Sequence, residues 1–390
     1  MDARGSAIYC TALTEVAMER RSFLHTSFAL SLAGAAGATH AHAGVPPVSH
    51  RSADPIRLDS NENALGLAPV ARQAIIDGIS EANRYPRDKR RELTELLAAK
   101  HGVAPDSIVL GNGSTEVLQM MVQACAGRRT KLVLADPTFE HVSDYALPET
   151  YTRESVPLDQ RLAHDIGRMR DLAARSWDPV LVYICNPNNP TGTLTPCSEI
   201  DAWIESAPEN VRFMIDEAYF EYVSDPGYES SVKWISTRPN VLVVRTFSKI
   251  FAMAGMRLGY GIAHPDTANH VRQFMGSSNA NELALRAAVA SLGDNGLVAR
   301  SVESNTRGKR ILCDCLDSLG LEYFPSQGNF LMHRIPGELR AYISRMREHG
   351  ILVGRPFPPM LTCSRVSIGL PNEMERLAET LRAFRANGWV

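Results

Sequence analysis

Apolar, β-branched runs recur through the middle of the chain at Ser107–Leu110, Lys131–Ala135, Val180–Ile184, Val211–Ile215 and Val241–Val244. Helix-length segments separate them, and this spacing predicts an α/β domain with a mostly parallel sheet flanked by helices. Helical periodicity covers Pro69–Ile79, Arg90–His101 and Val117–Ala126, and Gly102 stands where the second of these helices must stop. After Asn279 the pattern turns to helices at Glu282–Leu292 and Asn295–Ser318. Short strands follow near Leu321–Phe324, Asn329–His333 and Arg365–Gly369, and a last helix covers Asn372–Asn387. These elements predict a smaller α+β domain over 279–390 beside a large domain over 76–278. Residues 44–75 form an arm and part of the small domain.

The first 43 residues carry a different pattern. Arg20-Arg21 precedes a short apolar, small-residue run, Phe28–Ala38, and Ala41-His42-Ala43 precedes Gly44. A charged head, a short apolar stretch and small residues at a cleavage point make a bacterial export signal, and the arginine pair resembles a twin-arginine signal. The apolar run is too short for a membrane anchor. The expected location is therefore periplasmic or secreted, and cytoplasmic if the signal is not used. Met18 is a plausible start, because it leaves a compact head region.

Composition narrows the function classes. The 390 residues are 44% hydrophobic and 22% charged, with a formal net charge of -2, so nothing points to nucleic acid or a membrane surface. None of the seven cysteines has zinc-ligand spacing, and no metal site is expected.

Every unusual polar cluster lies just past the end of a predicted strand. These are Gly111–Glu116, Asp136–Phe139, Asn186–Gly192, Asp216–Tyr219 and Thr246–Lys249. That edge of an open α/β sheet is where ligands bind. Lys249 follows a buried strand, between hydroxyls and Arg257. A lysine in apolar company can lose its proton and attack an aldehyde, while hydroxyls and an arginine suit a phosphate. Together these are the needs of pyridoxal phosphate (PLP). Asp216 ends an apolar strand and wants a cation such as a pyridinium nitrogen. Asn186 and Tyr219 can reach a phenolic oxygen, and Phe139 can stack on a ring. Arg365 on a strand suits a carboxylate. Read singly, each has an ordinary structural alternative: a solvated lysine, a strand-end cap, a turn, core packing or a salt bridge.

As a set the motifs resemble the class I/II aminotransferases of PLP fold type I, and are most similar to the histidinol-phosphate aminotransferase branch. They are Asn61-Glu62-Asn63, Gly111-Asn112-Gly113-Ser114, Asn186-Pro187-Asn188-Asn189-Pro190-Thr191-Gly192, Asp216-Glu217-Ala218-Tyr219, Arg245-Thr246-Phe247-Ser248-Lys249, Arg257-Leu258-Gly259 and Arg365-Val366-Ser367. The resemblance implies a large PLP-binding domain and transamination between an L-amino acid and a 2-oxo acid. Lys249 would be the Schiff-base lysine and would shuttle the proton. Asp216 would hold the pyridine nitrogen, Asn186 and Tyr219 the phenolic oxygen, and Phe139 the ring face. Ser114, Thr115, Thr246, Ser248 and Arg257 would hold the phosphate. Tyr85 would reach the phosphate of a partner subunit, which implies a homodimer. Arg365 would clamp the substrate carboxylate, with Asn61 and Asn329 on the substrate side.

Two departures bear on substrate. Asn63 is followed by Ala64 where the branch has proline, and the loop Gly354–Met360 is proline-rich and unlike the usual one. Histidine synthesis is cytosolic, whereas this chain carries an export signal, so a substrate other than histidinol phosphate is expected. The alternative on the same scaffold is another PLP reaction, an amino-acid decarboxylase or lyase.

Overall fold

A computed structural model describes residues 54–127 and 129–390. The expected export signal over 1–43 lies outside them. The strands are β1 (Ile56–Leu58), β2 (Ile108–Gly111), β3 (Thr130–Asp136), β4 (Tyr151–Pro157), β5 (Val180–Cys185), β6 (Val211–Asp216), β7 (Val241–Thr246), β8 (Gly259–Ala263), β9 (Phe330–Arg334), β10 (Ile351–Val353) and β11 (Cys363–Ser367). The helices are α1 (Pro69–Gly78), α2 (Arg87–His101), α3 (Ser114–Cys125), α4 (His141–Tyr145), α5 (Ile166–Ala174), α6 (Cys197–Ser206), α7 (Pro265–Arg272), α8 (Glu282–Leu292), α9 (Leu297–Ser318), α10 (Leu339–Glu348) and α11 (Pro371–Ala386).

One seven-stranded sheet runs β2-β8-β7-β6-β5-β3-β4. β8 is antiparallel to both its neighbours, and the other strands all run one way. β5, β7 and β8 are buried at every position, as expected for strands covered on both faces. One apolar cluster joins α1, α2, α5, α6 and α8 to one face of the sheet, and a second joins α3 and α7 to the other. Because β2 to β7 are parallel, their polar C-terminal residues emerge along one edge.

The C-terminal elements gather around β9 and β11, which are antiparallel, and around β1 and β10, which are parallel. A separate apolar cluster holds Leu58, Leu312, Leu331, Val366, Leu377 and Phe384. The two cores do not change over at residue 279, where the sequence pattern puts the boundary. Ala284, Leu285, Ala287 and Ala288 of α8 belong to the large-sheet core, and α9 spans both, with Leu297 in one and Leu312 in the other. The strand expected near Leu321–Phe324 is reduced to a single bridge from Tyr323 to His333.

Candidate active site

Five strand ends meet at one cavity of about 670 Å³, which the segments around Asp59 and Arg365 close from the other side. At the β2 end, Gly113 has φ +79 and precedes the first turn of α3. A Cβ there would collide with the Arg257 guanidinium, so glycine lets the arginine lie against the helix N-terminus. Gly259 similarly lets β8 pass the backbone of Ser114. Arg257 Nη2 donates to Thr115 Oγ1 at 3.3 Å, and Nη1 donates to the Ala254 carbonyl at 2.8 Å. Ser114, Thr115, Thr246, Ser248 and Arg257 all line the cavity around the start of α3. Hydroxyls, a guanidinium and the positive end of a twelve-residue helix form a donor set for a phosphate.

Asp216 stands beside Cys185 in the register of β5 and β6. Its carboxylate accepts from Tyr183 Oη at 3.0 Å and from the Ala218 N–H at 3.1 Å. Both donors are neutral. Burial raises the pKa of Asp216 to about 6, against the pull of Tyr183, Ala218 and Lys249. A buried carboxylate facing a cavity with neutral donors behind it is suited to a cationic ligand atom such as a pyridinium N–H.

Lys249 Nζ donates to the Asn61 carbonyl at 3.0 Å and lies 5.7 Å from the Tyr219 ring centre. Burial, and then the Arg365 charge, lower its pKa to about 8 despite Glu62 and Asp216. The neutral, nucleophilic amine is therefore reached near pH 8 instead of above pH 10. Tyr219 Oη accepts from Asn61 Nδ2 at 3.0 Å, which leaves its own hydrogen free to donate. Its turn is fixed from behind by the buried Arg245–Glu217 ion pair at 2.6 Å, with Phe220 packed 3.7 Å from the guanidinium. Phe139 forms another part of the wall.

Arg365, on β11, points into the same cavity. Nη1 donates to Asn189 Oδ1 and Nη2 to the Asp59 carbonyl, both at 2.7 Å, while Nε is buried without a partner. Burial lowers its pKa to about 10, so it remains cationic near neutral pH.

Three expected site residues stand elsewhere. Asn186 is buried, but its amide is paired on both sides with the Thr195 backbone, at 2.9 Å each. Cys185 and Asn189 form the cavity wall at that strand end. Asn329 Nδ2 donates to the carbonyls of Asn61 and Glu62, at 3.0 and 3.1 Å, so it holds the backbone that receives Lys249. Tyr85 is 77% exposed and lines a surface depression with Asn281 and Leu283. Asn189 and Tyr183 were missed as site residues. Asn189 lies inside the Asn186–Gly192 motif, and Tyr183 faces the same side of β5 as Cys185. Among the described residues no acidic, histidine or cysteine group is placed to hold a metal, and no helix is long and apolar enough to cross a membrane.

Residues 53–381 match the family described as aminotransferase class I and II. The histidinol-phosphate aminotransferase 1 of Cupriavidus pinatubonensis is 38% identical over 324 residues, which is 82% of this chain and 85% of the relative. That of Moorella thermoacetica is 36% identical over 336 residues, 85% and 86% of the two chains. A solved structure from Erwinia carotovora atroseptica has a TM-score of 0.85 at 38% identity, covering 86% of this chain and 97% of that one. The histidinol-phosphate aminotransferase of Sinorhizobium meliloti, solved in complex with pyridoxal 5'-phosphate, has a TM-score of 0.80 at 25% identity and covers 86% and 91%.

Proposed function

The chain belongs to the aminotransferase class I and II family and is a PLP-dependent transaminase; within that activity, we propose that its substrates are L-amino acids and 2-oxo acids bound through the α-carboxylate by Arg365, rather than histidinol phosphate. The observation that carries the carboxylate assignment is the buried guanidinium of Arg365, with an unpartnered Nε, in the cavity that holds Lys249 and Asp216. Because such a fork also suits a phosphate, the preference against histidinol phosphate rests on Ala64, the proline-rich loop 354–360 and the Arg20-Arg21 head. When bound, PLP supplies an aldehyde to carry the amino group and a ring to accept electrons.

The chain's own residues divide the remaining work. Asp216 would hold the ring nitrogen in its charged form, and Tyr219 would donate to the phenolic oxygen. Phe139 would cover a ring face. Ser114, Thr115, Thr246, Ser248 and Arg257 would bind the phosphate with the N-terminus of α3. Arg365 orients the substrate so that its Cα–H bond faces Lys249, whose Nζ accepts the proton and returns it.

Arg365→Lys tests the carboxylate assignment. A lysine ammonium cannot reproduce a planar fork. Losing one charge-assisted hydrogen bond costs about 1.5–3 kcal/mol, so kcat/KM should fall about ten- to a hundredfold for every amino acid and 2-oxo acid. KM should rise and kcat should fall, with PLP binding retained. A variant that melts earlier but keeps its KM values would make Arg365 purely structural.

The same reading places Tyr85 against the phosphate of a second copy, in keeping with its exposure. Sedimentation at a single-chain mass with full activity would remove the partner from the site. Export rests on the Arg20-Arg21 head, the apolar run and the Ala41-His42-Ala43 site. N-terminal sequencing of protein from the native host checks it: a chain beginning near Gly44 outside the cytoplasm is expected, and uncleaved cytosolic protein contradicts it.

A further inference from the structure

We propose that Glu140 determines which side chains this enzyme accepts, by occupying the Arg355 guanidinium that an anionic side chain would otherwise take. The proposal rests on the reading that an amino acid held by Arg365 lays its side chain beneath the loop 354–360. Arg355 belongs to that loop, and its Nη2 donates to Glu140 Oε1, just after Phe139. The pair joins two segments 215 residues apart across the rim of the cavity. Arg355 also donates from Nη1 to the Pro356 carbonyl at 2.9 Å, which fixes the direction of its fork.

Phe357 connects this pair to the carboxylate clamp. The Arg355 guanidinium lies 4.3 Å from the Phe357 ring centre and that of Arg365 lies 4.5 Å from the same centre. The two guanidinium groups are thus no farther apart than those distances together. All three residues line the same cavity, and on this proposal the side chain of a substrate held by Arg365 extends toward Arg355.

Glu140 then acts as a tethered competitor. A side chain ending in carboxylate or phosphate has to displace it to reach the fork, whereas a neutral side chain has nothing to displace. Both partners are about half exposed, 51% and 54%, so the pair is weak enough to open. Its effect is a bias against anionic side chains rather than a block. Glu140 is a positioning residue, acting on substrate only through Arg355.

The test uses PLP-loaded protein as wild type, Glu140→Gln, and Glu140→Gln combined with Arg355→Ala. Two readouts are needed. One is the ratio of kcat/KM for L-glutamate to that for L-leucine. The other is calorimetric binding of glutarate, an unreactive dicarboxylate, against 4-methylpentanoate as the neutral-chain control. Glu140→Gln should raise the glutamate-to-leucine ratio about fivefold, through KM, and tighten glutarate about as much. Arg347 of α10 lines the same cavity, so the Arg355 arm is needed to assign the gain. Adding Arg355→Ala should abolish it. An unchanged ratio with unchanged glutarate binding, or a gain that survives the loss of Arg355, overturns the proposal. Absence of turnover in the wild type with every amino acid would count instead against the amino-acid reading, and glutarate binding alone would then decide the role of Glu140.

Discussion

Lys249→Ala should abolish amino-group transfer while PLP still binds. The phosphate donors, the Asp216 carboxylate and the Phe139 wall do not depend on Nζ, so the cofactor's footing survives. Two functions are lost together: covalent attachment to the aldehyde, and the base that moves the proton at substrate Cα. Positioned proton transfer alone contributes about 10²–10⁴-fold. Turnover should therefore fall by about four powers of ten or more, near 5 kcal/mol of barrier. The visible band of lysine-bound PLP should vanish, and borohydride should fix no cofactor to the protein. In the wild type without cofactor, covalent capture of PLP should quicken as pH rises through about 8, the point to which burial and Arg365 bring the Lys249 amine. The sign follows from the nucleophile being the neutral form. A borohydride-fixed adduct in Lys249→Ala would assign the role to another lysine.

Asp216→Asn should cost several powers of ten in rate, each about 1.4 kcal/mol. The substitution keeps size but turns one of the two acceptor oxygens into an NH2 donor and removes the charge that faces the cavity. Tyr183 and Ala218 both donate to Asp216. The amide oxygen can satisfy one of them well, so a modest loss of stability should accompany the loss of rate. The two effects separate by measurement. Melting temperature reports the hydrogen bonds, and single-turnover rate with saturating PLP reports the electron sink. Full activity in Asp216→Asn would remove the charge from the account of the chemistry.

The sheet's center was readable because buried parallel strands are continuous apolar runs, and each ends in polar residues with no packing reason to be there. β4 was not seen, because Tyr151–Pro157 is an edge strand with polar residues facing solvent. β1 and β10 are three residues each and exist only by pairing with one another across almost 300 residues, which no local pattern encodes. The polar residues on strand ends were legible for the same reason as the strands, and they line one cavity. Asn186 did not keep the role expected of it, because the Thr195 backbone satisfies its amide, and that partner lies on the returning chain. The Glu140–Arg355 pair joins two loops, and neither residue stands out from its neighbours in sequence.

The most direct test of the central assignment is transfer of label. Wild-type protein with PLP would be given single ¹⁵N-labelled L-amino acids and a panel of 2-oxo acids, and products read by mass spectrometry. ¹⁵N is expected in a newly formed amino acid for at least one pair, with the donor recovered as its 2-oxo acid and no label moved by Lys249→Ala. Carbon dioxide release or elimination without label transfer, or transfer undiminished in Lys249→Ala, would contradict that assignment.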